Sequence, residues 1–434
     1  MRKGLCWVVM GLAGMASLTA RADEVADLKS AMEAQEKETA SLRQKVDQLE
    51  ARQKLKEKAT SDKIVEVEKK ASEKKEPILP DSLKWAQNIN FSGDFRYRHE
   101  WISEENKANR DRDRIRMRLN LAAKVNEEWD VGMRLATGEK GDPVSTNQTL
   151  GQSFSRKPVW LDNAFLGFHP GWAKGLNVTA GKFDQPFYAV GRNQMIWDHD
   201  LSPEGGAVRY VWSLSKQTKV TVNGGGFWLA ENAAALDPAL WGLQGYVEQT
   251  LAKSTSILAG VGYYNYANLK GYGNLKKEWD PTSNSFFGNS SVGGSSGVFA
   301  NDYDEVEVFA ELSSKVAALP VSVFGSWVTN TVAQSGSEDT GWLVGFKVNK
   351  ASDPKSWEFI YDYRDIGKDA LVGQFNDSDF IGGGTGGKGH RFNVVYQLAK
   401  NVQASLNYYA STITRSATDV DYNRFQADVV VKFK

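Results

Sequence analysis

Apolar and polar residues alternate without a break from Ile89 to Trp101. The odd-numbered positions are mostly apolar or aromatic, whereas the even-numbered positions are polar or charged. A strand of a soluble sheet keeps such a pattern for five or six residues, but about thirteen residues are enough to cross a bilayer at a tilt. The segment therefore predicts a membrane-spanning β-strand with one face toward lipid and the other toward water.

The same alternation recurs along the rest of the chain and divides residues 89–434 into sixteen predicted strands. The strands predicted at 158–168 and 206–214 are the least regular, so fourteen or eighteen strands remain as alternatives. The other predicted strands are 89–101, 112–124, 128–138, 175–183, 218–230, 239–251, 254–267, 303–315, 319–331, 339–350, 355–366, 389–399, 401–414 and 422–433. An even number of this size is typical of an antiparallel transmembrane β-barrel.

The lengths of the connections between these strands test the barrel independently of hydropathy. Every second connection is short, whereas the long ones, rich in Gly, Ser, Asn and Asp, all fall at odd positions: 139–157, 184–205, 268–302 and 367–388. Outer-membrane barrels have short turns at the periplasmic end and long loops at the other end. A soluble sandwich has no reason to sort its connections in this way, so the sequence predicts an all-β outer-membrane barrel.

The N-terminus predicts export. Arg2 and Lys3 precede a short apolar stretch, and residues 20–22 read Ala-Arg-Ala, which is typical of a signal peptidase site. We therefore expect a signal peptide over 1–22, with an uncleaved membrane anchor as the alternative. The one cysteine, Cys6, lies inside this segment, so the mature chain is expected to contain neither disulfides nor thiolate metal sites. The mean hydropathy of −0.46 is compatible with a barrel, because lipid-facing and water-facing residues average out.

Residues 23–76 predict a helix, because they contain neither Pro nor Gly and are rich in Ala, Glu, Lys and Gln. Between Val25 and Leu49, eight positions follow a strict 3–4 spacing, which is typical of a periplasmic coiled coil. Two of these positions are polar, so a solvated single helix or a disordered charged spacer is the alternative. Pro77 and Pro80 end the helix, and we interpret 77–88 as a linker.

Arginines cluster on the predicted inward face of the first three strands: Arg96, Arg98, Arg114, Arg116, Arg118 and Arg134. Carboxylates occupy the inward faces of strands half-way round the barrel: Glu305, Glu307, Glu311, Glu358 and Asp362. The third external connection, 184–205, adds Asp184, Asp198, Asp200 and Glu204. Arginines facing carboxylates across a narrow gap would create a transverse field that orients dipolar solutes. The alternatives are that the charges merely solvate a wide pore or pair across strands, and that the arginines bind phosphate or another oxyanion.

The third external connection carries the most specific local sequence. GKFDQPF (181–187) leads into it and WDHDLSPEGG (197–206) leads out of it. Together with the alternating strands and the N-terminal helix, these segments resemble the putative-porin family of Gram-negative bacteria, which is related to the phosphate-selective porins. The resemblance covers roughly residues 85–434. It implies a trimeric barrel in the outer-membrane lipid, in which the loop after the fifth strand, 184–205, folds inward and narrows the pore.

The last strand alternates up to Phe433, and this resembles the terminal strand that the barrel assembly machinery recognises, although Lys434 follows the aromatic residue.

Residues 382–388 contain a Gly-x4-Gly-Lys pattern, but Gly389 stands where a phosphate-binding loop needs Ser or Thr, so we interpret them as a flexible external loop. The sequence predicts neither an enzyme, a cofactor, a metal site nor nucleic-acid binding. A single His between Asp198 and Asp200 is too little for a metal site.

Three functions follow from this reasoning. The first is a porin for passive diffusion of small hydrophilic solutes and ions. The second is a channel selective for phosphate or other anions. The third is a structural tether, in which the coiled coil contacts the peptidoglycan; unchanged envelope integrity after deletion of 23–76 would exclude it.

Overall fold

The computed structural model describes residues 33, 36–38, 40–56, 58 and 87–434, apart from 140, 234–235 and 294–296. Its C-terminal unit consists of sixteen long antiparallel strands, numbered β1 to β16 in chain order. They are Ile89–Glu104, Arg110–Lys124, Trp129–Thr137, Val159–Phe168, Leu176–Lys182, Glu204–Ser213, Thr218–Trp228, Ala239–Ala252, Thr255–Ala267, Tyr303–Val316, Leu319–Asn330, Thr340–Asn349, Trp357–Ile366, Gly387–Ala399, Val402–Ile413 and Val420–Phe433.

Each strand pairs with its neighbours in the sequence, and β1 pairs with β16, so the sheet closes into a barrel. The closing ladder runs from Gly93 opposite Phe433 to Glu104 opposite Tyr422. The prediction of a closed, sixteen-stranded antiparallel barrel is therefore confirmed. The two strands with the least regular sequence are present as β4 and β6, and β6 begins at Glu204, inside the predicted loop.

The connections sort by length as the sequence predicts. The turns at one end of the barrel are short, such as residues 317–318 and 400–401, whereas the other end carries the longest loops. We name four of these loops by their order at that end: L2 (138–158), L3 (183–203), L5 (268–302) and L7 (367–386). Within L2, the segment Gln148–Thr149 adds a short ladder to β2.

The two faces of the barrel wall have opposite chemistry. Side chains on the outer face are largely apolar and exposed, as Phe95, Val261 and Val344 illustrate, whereas most charged residues of the strands point inward and are buried. This is the polarity expected of a barrel that has lipid outside and polar groups inside. Aromatic residues such as Trp129 and Trp357 lie exposed near the ends of their strands, where interfacial girdles form.

The seam between β1 and β16 depends on a glycine. A Cβ atom at Gly93 would lie 2.3 Å from the carbonyl oxygen of Arg118 and 2.5 Å from the ring of Phe433. The valine variant Gly93→Val is expected to destabilise the closed barrel by about 1–3 kcal/mol, because overpacking forces neighbouring groups apart. The folded fraction can be measured from heat-modifiable migration on gels.

The matched control is Gly245→Val in β8, where the nearest atom to an added Cβ is 4.0 Å away. It should fold like the parent protein. Equal folded fractions for the two variants would show that the seam does not depend on Gly93.

The N-terminal unit is described only in part. Residues 40–56 form a helix, on which Leu42, Val46 and Leu49 are exposed. The predicted signal peptide (1–22) lies outside the described residues. Most of the predicted 23–76 helix on either side of residues 40–56, and all of the predicted linker except residues 87 and 88, also lie outside them. None of the helices among the described residues is long and apolar enough to cross a membrane.

Candidate pore lining and inward loops

All six arginines predicted to face the lumen lie on the inner face of β1, β2 and β3. Arg96 is opposite Arg116 in the β1–β2 ladder, and Arg98 is opposite Arg114. The antiparallel register therefore stacks like charges side by side, an arrangement that is unfavourable unless carboxylates separate them.

Two carboxylates neutralise Arg116 and Arg118, the arginines of β2 that lie nearer the short turn between β2 and β3. Asp94 of β1 lies 2.8 Å from both Arg116 and Arg118. Asp200 of L3 lies 3.7 Å from Arg116 and 3.4 Å from Arg118. Burial alone would raise the pKa of Asp200, but the two guanidinium groups hold it well below its usual range. Asp200 therefore stays ionised and fastens L3 to the arginines.

The remaining arginines differ in how they are paired. Arg98 binds Asp428 of β16 at 2.7 Å, and Arg134 binds Asp184 at the start of L3, also at 2.7 Å. Arg114 is more loosely paired, 3.5 Å from Glu100. Arg96 donates to the side chain of Asn147 in L2 at 2.6 Å and makes no ion pair with any residue that the structure describes. The arginines are therefore mostly neutralised by close neighbours rather than by the opposite wall.

L3 folds into the barrel because its apolar side chains pack against an apolar part of the inner wall. Phe187 stacks on Trp197 within the loop, with ring centroids 5.7 Å apart, and contacts Tyr264 of β9 edge-on at 4.9 Å. Val190 and Met195 are fully buried. Aromatic pairs of this kind contribute about 0.5–1.5 kcal/mol each beyond the area that they bury.

The tip of L3 contacts the opposite wall. The backbone N–H of Gly191 donates to Glu311 of β10 at 2.9 Å, and Arg192 forms an ion pair with Glu358 of β13. Gly191 has a φ of +60°, and a Cβ there would lie 2.4 Å from the ring of Phe324. A glycine is therefore required at the position where the loop touches the wall.

The four acidic residues predicted in this loop have different surroundings. Asp200 and Asp184 reach the arginine cluster, as described above. Glu204 is the first residue of β6 and binds Lys182 of β5 at 2.9 Å instead. Asp198 is buried and accepts hydrogen bonds from the N–H groups of Asp200 and Ser378. Burial raises its pKa well above the usual range, and the nearby carboxylates add to this effect.

L7 also folds into the lumen, which corrects the interpretation of 382–388 as a flexible external loop. Leu371, Ile381 and Thr385 are completely buried, and Phe380 is nearly so. The loop is bound to the wall through carboxylates: Asp377 lies 2.9 Å from Arg364, and Asp379 lies 2.7 Å from Arg424 and 3.1 Å from Arg98. Burial alone would raise the pKa of Asp379, but these guanidinium groups hold it well below its usual range.

The two inward loops are joined to each other by backbone hydrogen bonds. The N–H of Asp198 donates to the carbonyl of Phe375 at 2.8 Å, and the N–H of Asp377 donates to the carbonyl of Gln194 at 3.0 Å. L3 and L7 are therefore bound to each other inside the barrel, and both contribute residues to the apolar cluster.

The carboxylates half-way round the barrel have several kinds of partner. Glu305 accepts from the backbone N–H of Val372 in L7, and Glu307 accepts from the hydroxyl groups of Tyr264 and Ser326. Asp362 binds Arg364 at 2.7 Å and Arg391 at 2.6 Å. These groups are buried, so they hold loops and strands in place rather than facing solvent.

In several lumen ion pairs the cation is the more exposed partner. The side chain of Arg192 is 59% exposed against 8% for Glu358, and Lys347 is 25% exposed against 9% for Glu311. Arg118 is likewise more exposed than Asp94 and Asp200. The order is reversed near the loop end of β5, where Asp184 and Glu204 are more exposed than their cations, and at Asp379 of L7, which is more exposed than Arg98 and Arg424. Arg192, Lys347 and Arg118 are therefore the cations of these pairs that solvent reaches more readily than their carboxylates.

The sequence carried a signal for the inward loops that the alternation pattern concealed. Inward positions of β7 to β12 hold large apolar residues, where a water-filled barrel would hold polar ones: Phe227, Leu240, Tyr264, Phe309, Phe324 and Leu343. Strands with two apolar faces indicate that something covers the inner face. The sequence did not mark Arg192 and Lys347 as exposed cations of the lumen, because their exposure to solvent depends on the position of the tip of L3.

A search against family models gives one match along most of the barrel. The model is described as "Putative porin" and matches residues 100–292 and 298–433, more than half of the chain. The chain belongs to the putative porin family. Porins are channels rather than enzymes, and family and fold together indicate the Gram-negative outer membrane as the site of this porin.

One solved structure supports the fold, and a second is reported for its similarity alone. OprB of Pseudomonas putida aligns with a TM-score of 0.52 and 10% identity over 80% of this porin and 95% of that chain. The outer membrane channel DcaP of Acinetobacter baumannii aligns with a TM-score of 0.45 and 14% identity over 80% of this porin and 97% of that chain. Identity at this level describes the fold alone. A search of curated proteins found no match.

Proposed function

We propose that this porin lets small hydrophilic solutes and ions diffuse passively through a water-filled pore that L3 narrows with the help of L7. The observation that carries the proposal is the path of L3, which leaves one wall at Asp184 and touches the opposite wall at Gly191. A loop that is bound at both walls leaves only the space beside it for solutes. The residues predicted at the constriction are Arg96, Arg98, Arg114, Arg116, Arg118, Arg134, Asp184, Asp198, Asp200 and Glu204. Of these, Asp198 is buried and Glu204 lies at the loop end of β6.

Liposome swelling tests passive diffusion directly. Vesicles containing the purified porin should swell in uncharged sugars at rates that fall steeply with sugar size, because a narrow pore sieves by diameter. Vesicles prepared with heat-denatured porin provide the control. Equal swelling with and without folded porin would contradict a diffusion pore.

Anion selectivity is the second candidate, and the exposed cations of the lumen favour it. Arg192 and Lys347 face solvent more than their carboxylate partners do, and Arg96 has no carboxylate partner among the described residues. Guanidinium groups bind oxyanions in a bidentate manner. Block of chloride current by micromolar phosphate would favour a phosphate-selective channel over a general pore with an anion preference.

The partners predicted from the sequence remain predictions. Crosslinking in mild detergent tests the homotrimer. Loss of assembly in a Phe433→Ala variant tests recognition of the last strand by the barrel assembly machinery. The exposed apolar residues of the 40–56 helix are compatible with a coiled coil, and cosedimentation with purified peptidoglycan tests its contact with the cell wall.

A further inference from the structure

A cavity of about 370 Å³ lies at the loop end of the barrel, between L2, L3 and L5. It is separate from the arginines of β1 and β2, although two residues of L2 that line it have partners in that region. Ser145 accepts a hydrogen bond from Arg114 at 3.4 Å, and the hydroxyl of Thr146 donates to Asp200 at 3.0 Å. Its size falls in the range of pockets that bind small ligands. The cavity has no role in the sieving function proposed above.

Aromatic rings form much of the cavity wall. Phe187 and Trp197 of L3 and Phe227 of β7 line the inner side, and Trp160 of β4 and Trp279 of L5 also line it. The inner rings are held in place because Phe187 packs against both Trp197 and Phe227. A rigid wall of this kind favours ligands with an apolar or aromatic body, or a cation that can lie against a ring face.

The carboxylates of the cavity divide into two pairs. Asp162 and Glu204 are neutralised by Arg134 and Lys182. In contrast, Asp142 of L2 and Glu278 of L5 form no ion pair with any residue in the described part of the chain. Among the residues that the structure describes, the side chain of Asp142 accepts only from the backbone N–H of Val144, at 3.1 Å. Glu278 accepts from the hydroxyl of Tyr272, at 2.8 Å.

We propose that this cavity binds an organic cation that carries an apolar or aromatic group. Aromatic faces beside carboxylates without cationic partners attract such a molecule through both cation–π and Coulombic interactions. Trp279 already takes part in a contact of the first kind, because the ammonium of Lys276, which does not line the cavity, lies 5.1 Å from its ring centre. An anion would meet the two unpaired carboxylates and is disfavoured.

The charge of Asp142 makes binding dependent on pH. Burial raises the pKa of Asp142 to about 6. The charged groups that face it are Lys276 of L5 and Arg114 of β2, which lower its pKa, and Asp200 of L3, which raises it. Asp142 is therefore ionised at pH 7.5 and takes up a proton as the pH falls below about 6. Cation binding should weaken over the same interval.

The test is calorimetric titration of phenyltrimethylammonium into full-length porin in detergent at pH 7.5. We expect saturable binding, weakened about tenfold by Asp142→Asn and to a similar extent by Glu278→Gln, as removal of one nearby opposite charge implies. The matched control is Asp353→Asn in the turn between β12 and β13, which is exposed and distant from the cavity. It should bind like the parent porin, and the parent porin should bind more weakly at pH 5.

Three outcomes would overturn the proposal. The first is absence of saturable binding to folded porin, as judged by heat-modifiable migration. The second is binding of benzoate or glucose as strong as that of the cation, which would indicate an unspecific apolar site or a polyol site. The third is unchanged cation affinity in both cavity variants. Since calorimetry does not require conduction, these outcomes do not depend on the proposed diffusion function.

Discussion

Replacing Asp379 with alanine is expected to raise the single-channel conductance roughly twofold and to make the current noisier, since the narrowest cross-section sets the conductance of a water-filled pore. Asp379 joins L7 to Arg98 of β1 and Arg424 of β16. Removing one partner of buried ion pairs costs about 3–5 kcal/mol. This cost falls on the inserted state of L7, so the loop should leave the wall and widen the path beside L3.

Two further variants make this prediction specific. Asp353→Ala removes a carboxylate from an exposed turn and should leave the conductance unchanged. Asp379→Asn keeps the shape of the side chain but loses its charge, and an intermediate conductance is expected. A folded Asp379→Ala barrel with the conductance and noise of the parent porin would show that L7 does not narrow the pore.

Reversing the charge of Arg192 is expected to produce the largest change in ion preference. Arg192 is the most exposed cation in the lumen ion pairs, and Glu358 beside it is nearly buried. The Arg192→Glu variant changes the local charge by two units and leaves two carboxylates together. At distances of about 7 Å in water, with screening by salt at physiological ionic strength, this should lower the permeability ratio of chloride to potassium roughly fivefold. The zero-current potential in a KCl gradient measures the ratio.

Lys350→Glu is the matched control, because it makes the same charge change in an exposed turn between β12 and β13. Screening by salt should leave its zero-current potential close to that of the parent porin. Equal shifts in the two variants would mean that overall charge, rather than the tip of L3, sets the preference.

The fold was largely predictable because a barrel wall repeats one rule. Each strand must present apolar residues to lipid and polar residues to the lumen, so the alternation marks its position even where single strands such as β4 are irregular. The lengths of the connections then distinguish the periplasmic end of the barrel, which has short turns, from the end with long loops. Glu204 was assigned to a loop rather than to β6 because strand ends are not marked by alternation.

The lumen was less predictable because it depends on contacts between distant segments. The six arginines were correctly assigned to the inner face, since strand parity determines it. Their partners were not predictable: Asp379 reaches Arg98 only because L7 folds inward, and Asp200 reaches Arg118 only because L3 does. The glycines of L7 suggested flexibility, whereas in the structure they let the backbone pack closely, as at Gly384 beside Phe287.

The most direct test of a diffusion pore with solvent-exposed cations such as Arg192 in its lumen is a bilayer recording of the unmodified porin across a KCl gradient. The expected result is an ohmic current whose zero-current potential shows moderate preference for chloride. Absence of conductance from folded porin, or a preference for potassium, would contradict it.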